Sequence, residues 1–192
     1  MCRLIGAHCF LSPVVSHESA VTNRQPPNSA SRITNHILMA DTVPTELIEF
    51  ARHMAASHGL EPALVCAVIE QESSWNTWAV RYEPGFLARY VAPLYTAGKF
   101  SATEAYTRSM SWGLMQVMGQ SARETGFAEP SLVELCDPPI GLEYGCRILA
   151  RHIARAKGDV SAALLAWNGG ATLNYAEIVL GRKRNYSSQP VK

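Results

Sequence analysis

From Pro44 onward, apolar residues recur three and four positions apart, the spacing of one face of an α-helix. Leu47, Ile48, Ala51, Met54 and Ala55 share such a face, Pro44 suits a first helical turn, and Gly59 suits a helix end. A second helix is predicted from Pro62, with Leu64, Val65, Val68 and Ile69 on one stripe. Ser101 to Glu104 has the form of a capping box. A short helix over 121–125 closes at Gly126. Asp137 followed by Pro138 reads as an N-cap with proline in the first turn, opening a helix that carries Ile140, Tyr144 and Ile148 and ends near Gly158. Asp159 caps a helix over 160–167, and a last helix runs from about Asn174 to Arg184. No segment shows sustained strand alternation. The expected fold class is all-α or mostly α, with short irregular loops.

Residues 1–38 break this pattern. They carry His8, His17, His36 and a Gln-Pro-Pro run, with no period longer than one turn. Residues 2–15 faintly resemble a secretion signal, with Arg3 ahead of an apolar stretch, but His8 interrupts it, Pro13 follows it, and no convincing cleavage site comes after. Residues 1–40 are therefore expected to be a flexible, disordered tail or a degenerate leader, with Met39 a natural start for the ordered part. Residues 41–186 are expected to form the domain and 187–192 a short tail.

Composition narrows the class. The 192 residues are 47% hydrophobic and 17% charged with a net charge of +1, enough apolar content for a real core. The near-zero charge argues against a nucleic-acid binder. No stretch approaches the roughly 18 apolar residues of a membrane-spanning helix, so no stable membrane insertion is expected. Five cysteines do not make a disulfide scaffold. Cys136 and Cys146 could bridge in an oxidising compartment, but Cys146 falls inside a predicted helix, and thiols are expected. His53 and His58 are five apart, no metal-binding spacing occurs, and no glycine-rich phosphate loop is present. No metal or cofactor is expected.

The candidate chemistry centres on Glu72. At about 100° per residue it continues the stripe of Val65, Val68 and Ile69, whereas Glu70 points away from it and should be solvated. A carboxyl on a buried face has its charged form disfavoured, which is what a general acid near neutral pH requires. The alternative is a structural role, paired with a buried arginine or ending the helix at the surface.

Glu72-Ser73-Ser74-Trp75-Asn76 with Ala79, then Gly113-Leu114-Met115-Gln116, then Ala166-Trp167-Asn168 with Gly170, then Thr172 to Tyr175, follow in order along the chain. In these four blocks the sequence resembles the soluble lytic transglycosylases, the goose-lysozyme-like glycosidases that cut peptidoglycan. The resemblance implies a lysozyme-like helical domain with a cleft. It implies that Glu72 is the single catalytic acid, protonating the glycosidic oxygen between N-acetylmuramic acid and N-acetylglucosamine. The resulting carboxylate would then take the proton of the muramyl C6 hydroxyl as a 1,6-anhydro product closes. Ser73 matches a serine supporting the acid, and Met115 and Gln116 match cleft-lining residues. Asn168 matches an asparagine beside the acid, and Tyr175 a tyrosine bonding to it.

Plainer roles stand beside these. Leu114 and Met115 could be core, Asn168 a helix cap, and Tyr175 a buried tyrosine with another partner. Trp75 and Trp78 read as packing residues, and Trp112, beside a glycine, as the candidate for stacking on sugar. Four departures from the family stand out. Glu72 and Gly113 lie 41 positions apart, longer than the usual spacing, with the excess an insertion at about 82–109 that could form a cleft wall or lid. It carries Phe86, Tyr90, Tyr95, Phe100 and Tyr106. Trp167 replaces the usual tyrosine, so its hydroxyl is lost. Gly169-Gly170 replaces Ala-Gly, and Ala171 stands where an acid usually precedes the threonine. Glu83 is either an ion-pair partner of Arg81 or a second carboxylate that would hold a water and turn the reaction to hydrolysis, giving a muramidase.

From Arg147 to the C-terminus eight Lys or Arg face two acids. Arg182-Lys183-Arg184 suits the negative end of a helix dipole, or attraction to anionic wall polymers. The partner expected is the peptidoglycan glycan strand, the state a monomer, and the location the periplasm or cell envelope. A bacterial, phage or mobile-element origin fits equally. A non-catalytic wall-binding protein that keeps the cleft is the competing class, with Trp167 and the insertion as its best support.

Overall fold

The structure, a computed structural model, describes residues 43–187. The tail or leader expected over 1–40, and all but the first residue of the tail expected over 187–192, lie outside the described residues.

Helix α1 (Thr45–Ser57) lies between Pro44 and Gly59, as the sequence pattern places it, and helix α2 (Pro62–Ser73) starts at the expected Pro62. Helix α2 is not, however, a one-sided amphipathic element. Every residue from Ala63 to Ile69 is buried, so α2 is the axis of the core, wrapped on all faces. Its C-terminus ends abruptly because Ser74 (φ 50°) and Trp75 (φ 67°) both turn left-handed. Trp75 is buried, as expected, and its indole N–H donates to the Tyr186 hydroxyl at 3.0 Å. Trp78 corrects the expectation of packing: it is 71% exposed.

A small sheet follows, which the sequence pattern did not suggest. Strands β1 (Val80–Tyr82), β2 (Met110–Trp112) and β3 (Val117–Met118) lie in that order and antiparallel, with Trp112 opposite both Val80 and Val117. Strands of two and three residues are too short for period-two alternation to show. The domain is mostly α rather than purely so.

Between β1 and β2 the chain makes a helical excursion: α3 (Pro84–Phe86), a π-helical turn (Leu87–Val91), α4 (Ala92–Thr96) and α5 (Ala102–Arg108). It closes at its base, where the Glu83 N–H donates to the Ser109 carbonyl at 2.9 Å, next to the Tyr82–Met110 strand pair. Ser101 caps α5 by accepting from the Glu104 N–H. Glu104 does not complete the capping box. Its carboxylate instead takes Arg108 at 2.9 Å and Arg123 at 2.8 Å, fastening α5 to α6 (Gly119–Glu124).

A 3₁₀ turn (Leu132–Cys136) leads into α7 (Pro138–Arg155), then α8 (Val160–Trp167), α9 (Tyr175–Lys183) and a final 3₁₀ turn (Arg184–Tyr186). Asp159 caps α8 through the Ala162 N–H, whereas Asp137 occupies the N-cap position of α7 without a side-chain bond. Helices α1 and α9 pack on α2, and α8 packs on α7 and α9. Arg182 on α9 donates to Glu70 and, at 2.9 Å, to Gln71, and Lys183 reaches Glu61 at 2.8 Å. Glu70 is therefore an ion-pair partner rather than a merely solvated acid. Cys66, Cys136 and Cys146 are buried thiols. Among the described residues no group of His, Cys, Asp or Glu is arranged to hold a metal ion, and no helix is long and apolar enough to cross a membrane.

Candidate active site

Three chain segments converge on Glu72. It sits in the last turn of α2, Trp167 ends α8, and Tyr175 opens α9. The Tyr175 hydroxyl donates to Glu72 Oε1 at 2.5 Å, and the Trp167 indole N–H donates to the same oxygen at 3.0 Å. The other oxygen, Oε2, has no hydrogen-bond partner among the described residues. Burial raises the Glu72 pKa above the ordinary carboxylate value of 4.5, and the Tyr175 and Trp167 bonds and the Arg81 charge only partly oppose it. Tyr175 is 4% exposed, and burial followed by the adjacent Glu72 charge pushes its pKa far up, so it remains a donor.

Glu72 opens onto a pocket of about 620 Å³. It is lined by Ser111 and Val117 of the sheet, Gln116 of the β2–β3 turn, Ile148 and His152 of α7, and Trp167 and Asn168 at the end of α8. Arg81 of β1 and Glu83, Gly85, Phe86, Arg89 and Tyr90 of the excursion complete the lining.

The expected site residues divide accordingly. Gln116 lines the pocket, but its amide donates to the carbonyls of Ala79 and Gly113, both at 2.9 Å, and its oxygen accepts from Ser111 at 2.8 Å. With φ at 48°, it is a brace for the β2–β3 turn. Asn168 is both pocket wall and helix cap: it is the C-cap residue of α8, and its amide donates to the Thr172 carbonyl at 3.3 Å. Glu83 lines the pocket and is paired with Arg81 at 2.5 Å.

Three expectations are corrected. Trp112 is 6% exposed, and its N–H is spent on the Thr107 carbonyl at 3.1 Å, so it is core and presents no stacking face. Met115 is 1% exposed and packs over α7 at Gly145, where any Cβ would collide with its sulfur, so it supports the turn from beneath. Ser73 makes no bond to Glu72. Its hydroxyl donates to the Leu114 carbonyl at 2.8 Å and ties the end of α2 to the β2–β3 turn.

Two residues escaped the sequence reading. Trp167 was expected to lose the hydroxyl of the usual tyrosine, yet its indole N–H supplies a donor to the acid. His152 lines the pocket and stands edge-on to Trp167, ring centroids 6.3 Å apart. Burial, then Arg155 and Arg151, lowers its pKa below 6.5, so it is uncharged at neutral pH. Its signal was available, since 152 continues the i+4 series Ile140, Tyr144, Ile148.

A buried carboxyl with two donors on one oxygen and the other oxygen free can carry its proton on Oε2 and release it to a bound oxygen. No solved structure matches the chain. A family model described as the transglycosylase SLT domain matches residues 49–184, a span that runs from α1 to α9 and contains Glu72, Trp167 and Tyr175. The chain belongs to the SLT transglycosylase family, whose members are lytic transglycosylases acting on peptidoglycan.

Proposed function

We propose that the protein cleaves the β-1,4 bond between N-acetylmuramic acid and N-acetylglucosamine with Glu72 as its single acid and base, leaving a 1,6-anhydromuramyl end. The carrying observation is that Tyr175 and Trp167 both bond Glu72 Oε1 while burial favours the protonated carboxyl. In the first step Oε2–H gives its proton to the glycosidic oxygen, and that bond breaks. The carboxylate left behind is held by the two donors, which strengthen as it gains charge. It then accepts the proton of the muramyl C6 hydroxyl as that oxygen closes on the anomeric carbon. Protons balance, Glu72 is regenerated, and no water is consumed. The protein acts as a monomer outside the cytoplasm.

A second reading survives on one observation: Glu83 lines the same pocket. As a base activating water it would make the enzyme an inverting muramidase. Its engagement with Arg81 favours the first reading, because that contact would have to open before Glu83 could hold a water. Mass analysis of the products decides. Ends one water lighter than reducing ends support the transglycosylase, and they persist in Glu83→Gln. A dominance of reducing ends that Glu83→Gln abolishes supports the muramidase.

A further inference from the structure

Of the five aromatic residues that the sequence offers in the excursion between β1 and β2, two, Phe86 and Tyr90, line the pocket. Phe86 and Tyr90 pack ring against ring, with centroids 4.9 Å apart and planes inclined at 47°. Both line the pocket that contains Glu72. Tyr90 is 50% exposed, and the Arg89 guanidinium lies over its ring, 5.2 Å from the centroid. The backbone beneath is π-helical: the Ala92 N–H reaches the Leu87 carbonyl, five residues back. Such widened turns occur often at functional sites. An exposed aromatic ring fixed by two neighbours has little freedom to lose on binding, a feature of binding anchors rather than of incidental surface rings. Arg89 makes no ion pair among the described residues.

We infer that Phe86 and Tyr90 form a stacking subsite for one N-acetylhexosamine ring of the glycan strand. The pocket is continuous from Glu72 to this pair, so a strand cleaved at Glu72 would run past it. The C–H groups on a pyranose face carry partial positive charge and complement the negative face of an aromatic ring. Trp112, the ring the sequence suggested for this task, is buried and unable to perform it. Arg89 at the rim suits the carboxylate that a muramyl residue carries when its peptide is absent. The inference rests on the proposed function for the identity of the strand.

Binding can be separated from reaction by working in the full-length Glu72→Gln protein, titrated calorimetrically with peptidoglycan glycan strands stripped of their stem peptides. Adding Tyr90→Ala is expected to weaken binding by about tenfold or more, the scale of one lost stacking contact. Tyr90→Phe, which keeps the ring, is expected to bind within about twofold of its parent. In the otherwise unsubstituted enzyme, Tyr90→Ala should raise KM far more than it lowers kcat. Unchanged binding in Tyr90→Ala, equal loss in Tyr90→Phe, or no strand binding at all would overturn the subsite. Strand binding lost with Tyr90 in a protein that releases no anhydro ends would leave the subsite standing and reject the reaction.

Discussion

Glu72 is held by influences of opposite sign, and the balance has measurable consequences. Burial raises its pKa, so folding disfavours its ionised form. A group whose folded pKa is raised contributes stability below its unfolded value, near 4.5, and loses it as pH climbs through the folded value. Glu72→Gln keeps an oxygen to accept from Tyr175 and Trp167 but cannot ionise. Thermal melts should therefore show the variant and the parent alike at pH 4 and the variant the more stable at pH 8, and a gap that does not widen with pH contradicts this. Removing a donor acts in the same direction as burial and raises the pKa of the acid further. Trp167→Phe and Tyr175→Phe each take a bond from the carboxylate, so the alkaline limb of kcat/KM should move to higher pH in both, further for Tyr175→Phe. Each should lose about tenfold in rate, the scale of one charge-assisted hydrogen bond. The partial burial of Glu72 was legible from its register with Val65, Val68 and Ile69, although α2 proved buried all round over 63–69 rather than striped. The Trp167 contribution was not legible, because a bond between residues 72 and 167 exists only once α8 lies against the end of α2. Met115, placed beside the cleft by the family motif, and Trp112, suggested by its position next to a glycine, were misread for a related reason: only the packing shows that they lie beneath the surface.

At the scale of elements, the helices with local punctuation were readable. Pro62, Ser101 and Asp159 mark real starts, because proline in the first turn and a side-chain oxygen at the N-cap act through neighbouring backbone alone. The sheet and the π-helical turn were not readable, since both depend on the β1–β2 pairing that closes the excursion. The turn after β2 is the most constrained point of that unit. Gly113 has φ +67°, and a Cβ there would stand 2.4 Å from the Leu135 carbonyl oxygen, which is backbone and cannot swing aside. Gly113→Ala is expected to cost about 2–4 kcal/mol by denaturant unfolding. Because Ser73, Gln116 and the base of the excursion all bond near this turn, strand affinity should fall with it. A variant as stable as its parent would show that the turn is looser than described.

Across the whole molecule, residues 49–184 match the family and the excursion supplies a pocket wall. The basic C-terminal stretch, read as helix-dipole or wall-polymer charge, finds part of its answer inside the domain, where Arg182 and Lys183 clamp α9 to the end and start of α2. Arg182 is 39% exposed, so screening limits the pair, and Arg182→Ala should cost only about 1 kcal/mol, less in high salt. A salt-independent loss would point instead to the packing of its stem. The proposed reaction depends on one carboxyl, that of Glu72. Purified protein and its Glu72→Gln variant, incubated with intact peptidoglycan and followed by mass analysis of the soluble products, test it most directly. The parent should release fragments with 1,6-anhydromuramyl ends, and the variant should release them at least about a hundredfold more slowly while still binding the strands. Release at equal rates by the two proteins would contradict the account.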